Sequence, residues 1–124
     1  MNFKNLFLPA IISTMVLLSA CGNRELKKDA AKIGDAMCRN IEVMSKMKAA
    51  NIDDSATLKK LRLQSTQLQN EMMVMYQDFN KKYGDKTKDQ KFIKEFNSEL
   101  RKSMLECPYL SKTDREIFER ELKE

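Results

Sequence analysis

Two apolar stripes constrain this chain more than any other feature. Leu26, Ala30, Ile33, Met37, Asn40, Met44 and Met47 recur at spacings of four and three, and so do Leu58, Leu61, Ser65, Leu68, Met72, Met75 and Phe79. Such heptad spacing lines one side of a helix. Doubled back on each other, the stripes pair at a constant residue sum of 105, from 26 with 79 to 47 with 58, and all seven layers match. The single polar layer sets Asn40 against Ser65. Buried there, the two can bond to each other, whereas a slip of one heptad leaves each facing apolar groups. The pair therefore reads as a register pin; the alternative is that both face solvent at a loose point of the seam.

Breakers are sparse and well placed. Asp53, Asp54 and Ser55 are N-cap candidates ahead of the second stripe. Gly84 stands where a helix end favours a left-handed residue. Thr87 with Gln90 is expected to form a capping box; Pro108 stops the third helix, and Thr113 with Glu116 caps a short fourth. The expected helices lie at about 24–50, 55–83, 88–107 and 113–122. The predicted fold is all-α: an elongated, antiparallel, up-down-up three-helix bundle with a short C-terminal helix. Gly34 in the first helix is expected to admit Phe92 or Phe96 of the third at close range.

The N-terminal segment has a different character. Leu6 to Leu18 is almost wholly apolar and follows a single basic Lys4. It is shorter than the ~20 residues of a membrane-spanning helix and has the layout of an export signal. Its end, Leu18-Ser19-Ala20-Cys21, resembles the lipobox of bacterial lipoproteins. The resemblance implies a signal peptide over 1–20, cleavage after Ala20, a diacylglycerol on the Cys21 sulfur, and a lipid-anchored domain over 21–124. By the sorting pattern of that family, Gly22 after the cysteine implies the outer membrane, but the resemblance does not settle which face; the expected face is the periplasmic one, which a pair of bridged cysteines fits.

Two cysteines remain, Cys38 and Cys107, and an exported chain keeps disulfides. In the hairpin Cys38 is level with residue 67, which should face about residue 104 of the third helix. Cys107 lies three residues further, ~4.5 Å along a helix, within reach of a small tilt. Ile93, Phe96, Leu100 and Met104 share its side of that helix. A Cys38–Cys107 bridge is expected; the alternative is two buried free thiols.

Chemistry is harder to find. The chain has no histidine, so serine or cysteine activated by histidine is excluded. It has no glycine-rich phosphate loop either. No enzyme activity, cofactor or metal is expected. Methionine clusters such as Met44 with Met47, and Met72, Met73 and Met75, raise Met-based copper(I) handling as a weaker alternative. The register sets each seam methionine against Leu, Ile or Ala instead, which is core filling.

Charge placement is more informative. Removing Lys4 leaves 22 of the 23 Lys and Arg against 18 Asp and Glu, a net charge of +4 for the mature chain. That mixed, mildly basic surface argues against nucleic acid as a partner. With the anchor at Cys21, the first helix leads away from the bilayer and the second returns. The second turn, with Lys81, Lys82, Lys86, Lys88, Lys91 and Lys94, then lies near the membrane. The sequence-level expectation is a binding or scaffolding protein, its partners the membrane through the anchor and an envelope protein, anionic lipid or anionic polymer at the basic end. The C-terminal segment from Leu110 loosely resembles the Leu-Thr-x-x-Gln segments of Spy-like periplasmic chaperones, with Asp114 or Arg115 where glutamine is expected. That resemblance implies client binding as the alternative.

Overall fold

A computed structural model describes the backbone from Leu8 onward and the side chains from Arg24 onward. Among the described residues it is all-α. Helix α1 runs Leu8–Ala49, α2 Ser55–Tyr83, α3 Gln90–Leu105 and α4 Lys112–Glu121, with a five-residue 3₁₀ turn at Gly84–Lys88. None of these helices, over the described residues, is long and apolar enough to cross a membrane.

The helix ends follow local chemistry. Asp54 caps α2 by accepting the Thr57 amide at 3.0 Å. Gly84 ends it at φ +49°, a conformation that costs a residue with a Cβ far more. Three expectations are corrected. Asp89 caps α3, accepting the Lys91 amide at 2.9 Å, because Thr87 turns its hydroxyl back to donate to the Gly84 carbonyl at 2.7 Å. Ser111, not Thr113, caps α4 by accepting from the Asp114 amide at 3.1 Å. Finally, α1 starts at Leu8 rather than near residue 24. Pro9 falls in its first turn, where the missing N–H costs nothing, and Gly22 penalises a helix by only ~1 kcal/mol.

Helices α1 and α2 pair with residue numbers falling on one as they rise on the other. Glu25 and Asp29 meet Lys82, Arg39 meets Glu71, and Asn40 meets Ser65. Ser65 Oγ donates to Asn40 Oδ1 at 3.3 Å, and Gln69 Nε2 reaches Ser65 Oγ at 3.4 Å. Ser65 is buried, so the polar layer lies inside the seam. The heptad stripe fails at one layer: Met44 is 42% exposed, while Ala36 and Val43 are buried in its stead. Val43 lies ~100° round α1 from Met44, with Arg39 and Glu42 beside Gln64 and Leu68 of α2, so α2 covers the Val43 side of α1 there and leaves Met44 open.

Helix α3 packs along α1 on a face next to the α2 seam. The core there is Leu26, Ala30, Ile33, Phe79 and Phe96, ringed by Met37, Met75, Tyr83, Phe92 and Leu100. Yet the Cα atoms of α2 and α3 nowhere come within 8 Å of each other. Aromatic side chains span the gap: Phe79 lies 4.4 Å from Phe96 and 6.1 Å from Phe92, centroid to centroid.

Gly34 permits a close approach, but not the expected one. A Cβ built there would lie 2.9 Å from Ser103 Cβ and within clashing distance of its hydroxyl, with Leu100 Cδ1 at 3.6 Å. The small pair Gly34/Ser103 lets α1 and α3 approach, and the aromatics pack nearer the other end of α3. Gly34→Ala is therefore expected to destabilise the protein by about 1–2 kcal/mol, overpacking outweighing the gain in helix propensity. Thermal denaturation of Gly34→Ala, alone and with Ser103→Gly to relieve the clash, checks this; full recovery in the double variant is expected.

Candidate functional site

Two ends of the molecule carry its distinctive chemistry. The first is the α2–α3 turn with the stretch of α1 around Glu25 and Asp29. Here Lys82 bends onto α1, its Nζ 2.6 Å from Asp29 Oδ2 and 3.0 Å from Glu25 Oε2. Tyr83 donates its hydroxyl to the same Asp29 oxygen at 2.8 Å. Partial burial pushes the Asp29 carboxyl up, but the bonds from Lys82 and Tyr83 outweigh it and hold the group below the usual carboxylate range. Burial and the bond to Asp29 together push the Tyr83 hydroxyl up to about 12. Lys82 is raised by its two carboxylate partners and stays charged.

The cluster divides the lysines predicted for this end. Lys82 is committed to Asp29 and Glu25, and Lys88 to Asp85 at 2.8 Å. Lys81, Lys86, Lys91 and Lys94 are exposed and have no acidic partner in ion-pair distance among the described residues. The sequence missed this partition. Lys82 stands one residue from Lys81 in a run of lysines, and only its height on the hairpin, opposite Asp29, distinguishes it.

At the other end of α3, Cys38 and Cys107 form a disulfide with Cα atoms 5.6 Å apart. Met104, Cys107 and Leu110 are buried around it, with Met37, Ile41, Leu100 and Phe118 packed against them. Helix α4 closes over this core. Arg115 donates through one nitrogen to the Leu105 carbonyl and through another to the Cys107 carbonyl at 3.0 Å. It thereby pairs the Leu105 carbonyl at the end of α3 and gives a second donor to the Cys107 carbonyl, which also accepts the Leu110 amide at 3.3 Å. Arg115 was legible only as a charge in a short helix; its role depends on the chain turn at Pro108.

Of the remaining predicted positions, Cys21 lies outside the residues whose side chains are described. Among the described methionines, Met44 and Met73 are exposed and Met104 is buried. The described residues contain no group of three or more His, Cys, Asp or Glu placed to hold a metal. Compared with known protein families, curated proteins and solved structures, the chain matches none.

Proposed function

We propose that this chain is a lipid-anchored helical protein of a bacterial envelope that acts by binding and scaffolding, its lysine-rich turn seated on anionic lipid. The observation that carries the reading is the grouping of Lys81, Lys86, Lys91 and Lys94, exposed and without acidic partners among the described residues, at the end of the hairpin where α1 leaves the anchor segment. Each such charge near an anionic surface contributes ~1 kcal/mol. The anchor rests on the lipobox-like Leu18 to Cys21, and export agrees with the Cys38–Cys107 bridge. Gly22 favours outer-membrane sorting.

Vesicle flotation of a Cys21→Ala chain, freed of the lipid, tests the electrostatic part. Binding to vesicles rich in anionic phospholipid is expected to exceed binding to neutral vesicles by about tenfold or more at low salt. Replacing Lys81, Lys86, Lys91 and Lys94 by Gln should abolish that preference, while Lys82→Gln changes it little because Lys82 is held by Asp29 and Glu25. Equal binding to neutral and anionic vesicles would overturn the reading.

A further inference from the structure

Helix α2 carries a second stripe that α1 leaves uncovered, with Gln67 on the edge shared with Arg39 and Val43 of α1. Lys60, Leu63, Gln67, Asn70, Val74 and Gln77 recur at spacings of three and four, and every one is exposed. Leu63 is 60% and Val74 54% exposed, the largest apolar groups on that face. Over residues 63–77 the only charge is Glu71, in a chain that is 33% charged, and Arg39 of α1 holds it at 2.9 Å. The outward face is thus apolar and amide-rich where the rest of the surface is charged.

We propose that two copies of the chain pair through this stripe, α2 against α2 in antiparallel, as an isologous dimer. The stripe is its own complement: at a residue sum of 137, Leu63 of one copy meets Val74 of the other, Gln67 meets Asn70, and Lys60 meets Gln77, each layer occurring twice. The two apolar layers flank two amide layers. Amides both donate and accept, so Gln67 and Asn70 can bond across the axis.

Charge complementarity selects the antiparallel arrangement. It sets Lys59 and Lys60 of one copy beside Asp78 of the other, and the lysine-rich end of one beside Asp53 and Asp54 at the hairpin tip of the other. A parallel pair would stack Lys60 on Lys60, Lys81 on Lys81, and the two basic ends side by side. The pairing rests on the α2 face alone. Each basic end lies beside its own anchor segment, so the antiparallel pair holds its two anchors at opposite extremities and joins copies on facing bilayers, not neighbours seated on one.

The test uses the full chain in neutral detergent, with a photo-crosslinking side chain at position 63 and sedimentation to read the oligomeric state. A concentration-dependent dimer is expected, crosslinked from 63 to the neighbourhood of residue 74 in the second copy. Leu63→Glu with Val74→Glu should weaken the dimer about tenfold or more. Because both positions are exposed, helicity and the Cys38–Cys107 bridge should be retained. Asp78→Lys should weaken pairing, and adding Lys59→Asp and Lys60→Asp should restore it. A chain that stays monomeric, crosslinks from 63 to 63 or to a different protein or lipid, or pairing indifferent to Leu63→Glu with Val74→Glu would each overturn the proposal.

Discussion

Replacing Cys38 and Cys107 together by alanine is expected to lower stability by about 4 kcal/mol. The bridge spans a sequence separation of 69, and on the chain-entropy estimate such a loop restricts the unfolded chain by that amount. For a domain of this size the midpoint should fall by roughly 20 °C. The tether acts where the C-terminal end of α3 meets α1. Its buried residues there are Met104 and Cys107, and Leu110 beyond them. Calorimetry of the double variant, and of the wild type with reductant, should agree, since both remove the same restraint. A midpoint unchanged under either condition would show that the denatured chain already holds α1 and α3 together.

The effect should extend into α4. Arg115 bonds the carbonyls of Leu105 and Cys107, and Phe118 packs on the same small core. Without the bridge, the end of α3 loses its restraint to α1, and α4 loses the platform it docks on. Amide exchange in the reduced protein is accordingly expected to rise first across α4 and the last turn of α3.

How much of this was legible in the sequence depends on whether the cause was local or periodic. The all-α class and the α1–α2 register follow from stripes that repeat over seven layers, and the Asn40–Ser65 layer fixes one alignment. The Cys38–Cys107 bridge followed from that register with one added turn length. What was illegible required choosing between equally good local options. Thr87 and Asp89 are both capable caps, and the backbone path through the 3₁₀ turn decided for Asp89. Met44 and Val43 are both apolar, and the side of α1 on which α2 passes decided for Val43. Gly34 announced a close approach without naming its partner, because the sequence did not fix how far α3 slides along α1. At the basic end, the count of lysines was readable, but the commitment of Lys82 to Asp29 and Glu25 was a matter of height on the hairpin.

Phe79→Ala is expected to cost about 3–5 kcal/mol, close to the loss from removing the disulfide. The ring is only 6% exposed and lies where all three long helices converge, 4.4 Å from Phe96 and 4.6 Å from Tyr83. Since the backbones of α2 and α3 stay apart, no neighbouring side chain can close over the space it leaves without moving a helix. The other buried residues of α2, Leu61 and Ser65, sit toward its opposite end and cannot compensate. Urea titration should show the loss, with Met73→Ala, exposed on α2 outside the Leu63–Val74 stripe, as the control within about 0.5 kcal/mol of wild type. Tyr83, one turn on, should lose part of its hold on Asp29 as its ring support goes. Met37 and Leu100 touch both the Phe79 core and the disulfide core. Phe79→Ala combined with loss of the bridge is therefore expected to depart from additivity, and a strictly additive result would show that the two ends of α3 are held independently.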